Sequence, residues 1–344
     1  MELRGVEAVA LDTEFLRERT YRAQLCLLQI ATPERAVCVD PLADLDLRVL
    51  RDSFGAQGPV KVMHAARQDL EVLLDPVGLV RPLFDTQIAA ALAGFAPQVG
   101  YAELVKRCLG RELSKAHTRT DWSRRPLSDA QIEYALDDVR YLLPLRDTLQ
   151  ERLQALGRSS WLDEELEPFA EASALQVDPE QVWARVKGLR GVGPEREHLA
   201  RSLAAWRERR AIERNRPRGW ILDDNALRDL VLRAPRTPEE LSALSSMPDG
   251  VIKHCGAELL SIVRAADLPE SLPQPVSHRP DPALQAAVRR LSEINQEIAK
   301  ALGIGPEVLA TRRELEELAA GRRDSPLLRG WRRDQIGERL LAAL

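Results

Sequence analysis

The chain of 344 residues is long enough for two or three domains, and its 44% hydrophobic and 30% charged residues are typical of a soluble globular protein. No stretch approaches the roughly 20 apolar residues of a membrane span, and a predicted strand begins near the N-terminus, so we expect no membrane segment and no signal peptide. The four cysteines lack CxxC spacing, which predicts reduced thiols in a cytoplasmic protein and argues against zinc. The formal net charge of −4 does not by itself indicate nucleic-acid binding.

The part of the chain up to about residue 150 alternates between strand and helix patterns. A short turn at 32–35 joins two predicted strands and indicates that they form an antiparallel pair. Later strands alternate with helices, so we expect an α/β domain with a mixed sheet flanked by helices. Strands are predicted at 6–11, 24–31, 36–39 and 60–63, and helices at 67–74, 86–93, 101–109 and 128–155.

Two acidic residues, Asp12 and Glu14, end the first apolar run. Residues two apart on a strand point to the same face, so the two carboxylates should lie side by side at the end of a strand. Like charges that close repel each other unless a cation joins them, and oxygen ligands suit Mg²⁺ or Mn²⁺. The alternative is a strand that runs out into a polar loop.

A third acidic residue, Asp69, falls in the first turn of the helix predicted at 67–74. The helix dipole favours a carboxylate at this position, so a purely structural role is the alternative. His64 precedes the same helix and could equally be a structural histidine.

The fourth acidic site lies in the long helix that begins near Ser128, where Ser128 and Gln131 predict a capping box. Tyr134 and Asp138 are four residues apart and therefore share one face of the helix. At about 100° per residue, Asp138 lies beside the apolar face, whereas Asp137 lies nearly opposite it and should point to solvent. The alternative is that both are surface acids of an amphipathic helix.

Beyond residue 150 the strand patterns disappear and the chain reads as helical. Between Arg201 and Arg218 it contains seven arginines and two glutamates, which could neutralise phosphates or form a solvated helix face. A proline-rich stretch at 268–282 predicts a linker between two helical segments of similar length.

Four carboxylates in three segments, with a tyrosine four residues before the last, resemble the tyrosine-bearing branch of the DEDD exonuclease superfamily, and within it the ribonuclease D family most closely. The resemblance is dense over roughly residues 5–150. It rests on Leu11-Asp12-Thr13-Glu14-Phe15, Arg19-Thr20-Tyr21, Gln24-Leu25-Cys26-Leu27-Leu28-Gln29, His64-Ala65 with Asp69-Leu70, Phe84-Asp85-Thr86-Gln87, Arg119-Thr120-Asp121-Trp122, Arg125-Pro126-Leu127, and the run from Tyr134 to Leu143.

The resemblance implies an RNase H-like fold and a metal-dependent 3′–5′ exoribonuclease that releases nucleoside 5′-monophosphates. It implies two divalent ions, Mg²⁺ or Mn²⁺, held by Asp12, Glu14, Asp69 and Asp138, with Asp12 between them. Tyr134 would orient the attacking water and help to deprotonate it. The implied substrate is RNA with a free 3′ end, such as a tRNA precursor, and we expect a monomer without an organic cofactor.

Further candidates for substrate binding are less specific. His64, Lys115 and Trp122 could contact phosphate or the terminal nucleotides, although a surface lysine and a core-edge tryptophan are the alternatives. The helical segments resemble HRDC domains, which are associated with nucleic-acid binding. That resemblance makes arginines of the run from Arg201 to Arg218 candidates for holding RNA: Arg209, Arg210 and Arg214.

The resemblance divides the chain into an exonuclease domain (1–160), a helical connector (161–194), an HRDC domain (195–267), the proline-rich linker (268–282) and a second, looser HRDC domain (283–344). Two other functions stay open on the residues alone. One is a 3′–5′ DNA exonuclease with the same metal site, because no reader of the 2′-hydroxyl is evident. The other is a nucleic-acid-binding scaffold with a vestigial site.

Overall fold

The structure, a computed structural model, describes residues 3, 5–113, 120–189, 192–266, 268 and 281–344. Most of the predicted linker at 268–282 therefore lies outside the described residues. The chain forms two compact units. Unit 1 contains the residues up to Leu16, Leu25–Leu175 and the C-terminal residues from 281 onward, and unit 2 contains Arg17–Gln24 and the residues from Gln176 to 268.

Unit 1 is built on one five-stranded sheet with the order β3-β2-β1-β4-β5. The pairs β1–β4 and β4–β5 are parallel and the pair β2–β3 is antiparallel, so the predicted mixed sheet is confirmed. Strand β5 was missed because three residues carry no periodicity. The strands are β1 (Ala8–Leu16), β2 (Gln24–Ala31), β3 (Ala36–Val39), β4 (Val60–Met63) and β5 (Leu83–Asp85).

Strand β1 occupies the centre of the sheet and is longer than predicted. Asp12 and Glu14 lie inside it and not at its end, because the alternation of buried and partly exposed side chains continues through Leu11 and Thr13. The acidic pair is therefore held by a central strand, which is a more rigid support than a loop.

Helices cover this sheet. The helix predicted at 128–155 is divided at Tyr141, because Pro144 has no N–H to donate to the carbonyl of residue 140 and is tolerated only in the first turn of a new helix. The helices up to residue 175 are α1 (Arg51–Phe54), α2 (Arg67–Val77), α3 (Thr86–Leu92), α4 (Tyr101–Leu109), α5 (Asp129–Arg140), α6 (Leu142–Ala155), α7 (Ser159–Leu166) and α8 (Ala172–Leu175), with 3₁₀ turns at Leu47–Leu50 and Glu167–Ala170.

Unit 2 is helical and has a hydrophobic core of its own, which includes the buried Leu203, Trp206 and Leu230. The segment Arg17–Gln24 belongs to it: the Tyr21 hydroxyl and the Arg218 guanidinium both donate to the buried carboxylate of Glu208. Its elements are a 3₁₀ helix (Pro179–Arg185), α9 (Pro194–Arg214), α10 (Arg218–Ile221), α11 (Asp224–Arg233), α12 (Pro238–Ser242) and α13 (Asp249–Ala265).

The C-terminal helices belong to unit 1 and share its largest hydrophobic core with the helices that cover the sheet. The rings of Trp161 and Trp331 stack with centroids 4.4 Å apart, and the Trp331 N–H groups donate to Glu164 and Glu165. Among the described residues, no helix has the length and apolar character needed to cross a membrane. The C-terminal elements are α14 (Pro282–Leu302), α15 (Pro306–Leu309), α16 (Arg312–Ala319), a 3₁₀ turn (Pro326–Leu328), α17 (Gly330–Arg332), a π-helical turn (Arg333–Gly337) and α18 (Glu338–Ala342).

Candidate active site

Three carboxylates meet where α5 packs against β1. Asp12, Glu14 and Asp138 each offer one oxygen, and these oxygens all lie within 4.8 Å of one another. Asp12 and Glu14 share a face because they are two apart on the strand, and Asp138 is adjacent to the buried Val139 on the face that α5 turns to the sheet. Each side chain keeps partial solvent exposure, so water and ions can reach the cluster.

Asp69 joins this group from α2. It is buried in the first turn of that helix, and its carboxylate accepts a hydrogen bond from the hydroxyl of Thr13, which lies between Asp12 and Glu14 in sequence. The negative charge of Asp69 raises the pKa of both Asp12 and Glu14. The structure therefore brings Asp12, Glu14 and Asp138 into one cluster and places Asp69 near enough for its charge to act on Asp12 and Glu14.

The four carboxyl groups titrate far from their usual range. Burial, followed by the charges of Asp69, Asp138 and Glu14, raises the pKa of Asp12 well above its ordinary value. Burial and the neighbouring acids raise the pKa of Glu14 to about 8, and burial together with the charge of Asp137 raises that of Asp138 to about 7. Burial also raises the pKa of Asp69 to about 6, although the Thr13 hydrogen bond opposes the shift.

These shifts show that the protein alone does not stabilise four charges here. A cation removes the repulsion, and carboxylate oxygens are the donors that hard divalent ions prefer. The donor set of Asp12, Glu14, Asp69 and Asp138 thus fits a divalent metal site.

Tyr134 lies one turn before Asp138 on α5, and its hydroxyl donates to the Asp138 carboxylate. Burial and the charges of Asp138, Glu14 and Asp12 raise the pKa of the phenol, so it stays protonated at neutral pH. Asp137 does not join the cluster: its carboxylate forms an ion pair with Arg140. The main-chain carbonyl of Asp137 accepts a hydrogen bond from the Tyr101 hydroxyl at 3.0 Å.

The weaker candidates for substrate contacts are placed differently. Both ring nitrogens of His64 have protein partners, with Nδ1 at 2.9 Å from Thr86 Oγ1 and Nε2 at 3.0 Å from the Val99 carbonyl oxygen, and this favours the structural alternative. Trp122 is buried in a small core cluster with its ring 6.2 Å from that of Tyr134, so it supports the tyrosine from the side. Lys115 lies outside the described residues.

The predicted RNA-binding arginines of unit 2 divide into two kinds. Arg209 pairs with Glu180 at 2.5 Å, and Arg210 pairs with Glu258 at 2.9 Å. Arg214 is exposed in the last turn of α9, and no ion pair of it is seen within the part of the chain that the structure describes. Of the three, Arg214 is the one best placed to meet a phosphate.

Sequence reasoning missed Thr13 and Tyr101. Thr13 reaches Asp69, and the Tyr101 hydroxyl also accepts from the Tyr141 N–H at 3.2 Å and so ties α4 to the junction of α5 and α6. No local sequence pattern indicates the roles of Thr13 and Tyr101, because their hydrogen bonds join segments that are distant in the chain.

A mixed sheet whose central strand and covering helices gather four carboxylates beside a tyrosine defines a 3′–5′ exonuclease of the DEDD class. Residues 1–154 match the 3′–5′ exonuclease family and residues 196–263 match the HRDC domain. The ribonuclease D of Nitrobacter hamburgensis is 39% identical over 99% of this chain and 90% of its own length, and that of Jannaschia sp. is 42% identical over 98% and 89%. The chain belongs to the ribonuclease D family and is a 3′–5′ exoribonuclease.

A solved relative agrees with this assignment. The crystal structure of Escherichia coli RNase D, an exoribonuclease involved in structured RNA processing, has a TM-score of 0.87 and 32% identity, over 99% of this chain and 94% of that one. The predicted family and fold class are confirmed. The second HRDC copy stays a prediction.

Proposed function

We propose that this exoribonuclease removes nucleoside 5′-monophosphates one at a time from the 3′ ends of RNA, with two divalent ions, Mg²⁺ or Mn²⁺, held by Asp12, Glu14, Asp69 and Asp138. The observation that carries the proposal is the cluster of Asp12, Glu14 and Asp138, whose carboxylate oxygens lie within 4.8 Å of one another and whose pKa values are raised by burial and mutual repulsion. Asp69 lies beside this cluster, hydrogen-bonded to Thr13. When bound, the ions activate a water molecule and stabilise the charge on the leaving 3′ oxygen.

Within this cluster the residues have different tasks. The charges of all three other acids raise the pKa of Asp12, which supports a central position for Asp12 among the residues that would hold the ions. The Tyr134 hydroxyl donates a hydrogen bond to the Asp138 carboxylate, so the phenol oxygen keeps a lone pair that can accept a hydrogen bond from the attacking water. That bond would orient the water and help to deprotonate it, while the phenol stays neutral.

We also propose that the natural substrates are structured RNAs such as tRNA precursors. The name ribonuclease D of the relatives and the structured RNA processing ascribed to the Escherichia coli enzyme support RNA over DNA. The free cysteines are consistent with a cytoplasmic enzyme, and we propose that it acts as a monomer.

The test is a time course on a 5′-labelled tRNA with a 3′ extension, in Mg²⁺, Mn²⁺ or EDTA, beside single-stranded DNA of matched sequence. A metal-dependent ladder that shortens from the 3′ end, with little cleavage of DNA, is expected. Equal or faster cleavage of DNA would favour a DNA exonuclease. Tight binding of RNA without cleavage in any metal would favour the scaffold with a vestigial site.

Variants test the residue assignment. Asp12→Asn should abolish cleavage and leave folding and RNA binding intact, because it removes one charge from the centre of the cluster. Asp137→Asn is the matched control on the outer side of α5, and it should stay close to wild type. Turnover by Asp12→Asn, or loss of activity in Asp137→Asn with Asp138→Asn still active, would contradict the proposed ligand set.

A further inference from the structure

Asp85 is a buried carboxylate that the proposed reaction does not use, and it joins two turns beside the acidic cluster. It ends β5 and is 2% exposed. Its Oδ1 accepts from the N–H groups of Gln87 at 2.8 Å and Ile88 at 3.2 Å, which makes Asp85 the N-cap of α3. Four backbone donors in all converge on this one side chain.

The other two donors come from the turn between β4 and α2. The Ala65 N–H donates to Oδ1 at 3.1 Å and the Ala66 N–H donates to Oδ2 at 2.8 Å. Ala66 is the N-cap residue of α2, and its side chain has no hydroxyl or carboxylate with which to cap the helix. Asp85 therefore supplies from a distant segment the acceptor that this helix start lacks.

The turn needs this support because its backbone is in an uncommon conformation. Ala65 has φ of 56°, in the left-handed region that residues other than glycine seldom occupy. A second link runs in parallel: the Thr86 hydroxyl donates to the Met63 carbonyl at 3.0 Å and also lies beside His64. Asp85 and Thr86, which are adjacent in sequence, thus stabilise the turn from Met63 to Ala66 through hydrogen bonds.

We propose that Asp85, assisted by Thr86, is a positioning residue of the exonuclease: it fixes the start of α2 and thereby holds the Asp69 carboxylate in the metal site. This rests on the proposed function, in which Asp69 is a metal ligand. Asp69 lies three residues beyond Ala66, in the first turn, so any change in the direction of the helix start moves its carboxylate. The bond to Thr13 then completes its placement.

Asp85→Asn separates this role from helix capping. The amide oxygen can replace Oδ1 and keep the α3 cap, because asparagine caps helices as well as aspartate does. The amide nitrogen replaces Oδ2 and turns a donor toward the Ala66 N–H. We expect the Mg²⁺ concentration for half-maximal activity to rise about 10- to 100-fold, as for other groups that orient metal ligands. The kcat at saturating RNA should fall, and the KM for RNA should stay unchanged.

The matched control is Asp223→Asn, which changes the N-cap of α11 in unit 2, where Asp223 accepts from Asn225 and Ala226. It should leave the Mg²⁺ curve at its wild-type position. Thr86→Val is the second variant, for use should Asp85→Asn not fold, and it should shift the curve in the same direction by a smaller factor. All curves are measured below the melting temperature of each variant.

The inference would be overturned if Asp85→Asn gave the wild-type Mg²⁺ curve. If Asp85→Asn does not fold, a folded Thr86→Val enzyme with the wild-type curve would overturn it. Asp69→Asn is measured beside them. If that variant is inactive, a wild-type curve for Asp85→Asn refutes only the positioning role. If Asp69→Asn is fully active, the metal assignment itself fails, and the role of Asp85 fails with it.

Discussion

The two helical regions of this chain look alike in sequence and differ in what they pack against. Each begins with a helix of 21 residues, α9 and α14, that has proline in its first turn. The apolar residues of α9 contribute to a core that lies within unit 2, whereas Leu291, Ile298 and Ala299 of α14 contribute to the core of the exonuclease sheet and its helices. The same amphipathic pattern thus contributes to a separate core in unit 2 and to the shared core of the catalytic unit in unit 1.

The contacts of the C-terminal helices with the rest of unit 1 are specific as well as apolar. The buried guanidinium of Arg158 donates to the carbonyl of Leu92 at 2.7 Å and to that of Leu302, so it satisfies the C-terminal ends of α3 and α14 together. Arg332 forms an ion pair with Glu165. Because Arg158 is buried and the Arg332–Glu165 pair is partly buried, removing either side leaves polar atoms without partners as well as exposed core.

The largest effect should follow removal of residues 281–344. Truncation would expose the Trp161 ring and the part of the shared hydrophobic core to which the C-terminal helices contribute, so we expect an aggregated or unfolded product without nuclease activity. Solubility, circular dichroism and exonuclease assays would measure it. A soluble truncated chain with the wild-type rate would show that the C-terminal helices are dispensable and are not a structural part of the catalytic unit.

One buried tryptophan in each helical region allows the difference between the two regions to be tested by single substitutions. Trp331 is 3% exposed in the C-terminal helices and Trp206 is 5% exposed in unit 2. Each change to alanine should cost about 3–5 kcal/mol through the lost burial and the cavity left behind. Trp331→Ala should lower the stability of the catalytic unit and its activity on a short single-stranded RNA, whereas Trp206→Ala should destabilise unit 2 and spare that activity. Equal loss of activity in both variants would mean that the two cores unfold as one.

The pH dependence of stability should also distinguish the two units, because the proposed metal ligands all lie in unit 1. The folded-state pKa values of Glu14, Asp138 and Asp69, at about 8, 7 and 6, lie above their unfolded values, so the folded state binds more protons between about pH 4 and pH 8. Without a cation, the stability of unit 1 should therefore fall as the pH rises through this window. Mg²⁺ must displace those protons and should stabilise the protein more at pH 8 than at pH 6.

Scanning calorimetry in EDTA and in Mg²⁺ would measure this dependence. The transition of unit 1, including its C-terminal helices, should move by several degrees, and that of unit 2 should stay in place. Asp12→Asn is the control, and it should reduce both the pH dependence and the effect of Mg²⁺. Equal shifts of both transitions would mean that the two units unfold as one and do not respond separately to the metal site.

The sequence predicted those parts of the molecule that depend on local periodicity. The segments 24–31, 36–39, 60–63 and 101–109 form the elements expected of them, and the Ser128–Gln131 capping box is present. The helical phase of α5 predicted that Asp138 and not Asp137 faces the sheet, and the structure places Asp138 in the acidic cluster. What local patterns could not show are contacts between distant segments, such as Thr13 with Asp69, Asp85 with Ala66, and the destination of the apolar face of α14.

The smallest expected effect concerns RNA binding by the two helical regions. Arg214→Ala should weaken binding of a structured RNA a few-fold and lower the salt dependence by somewhat less than one unit, as expected for one phosphate contact. Arg210→Ala should have less effect, because its guanidinium already has a partner in Glu258 and must give it up to reach a phosphate. Arg290→Ala, on the exposed face of α14, is the control in the C-terminal helices and should change nothing.

Filter binding at several salt concentrations would rank these variants. If Arg290→Ala weakened binding as much as Arg214→Ala, RNA would extend over both helical regions, and the C-terminal helices would have a binding role besides the structural one. If only Arg214→Ala had an effect, the separation would be complete: one helical region holds substrate through its surface, and the other holds the catalytic sheet through its core. That outcome would explain how one sequence pattern persists in two regions with different partners, because burial constrains only the apolar face of a helix and leaves the opposite face free to acquire charge.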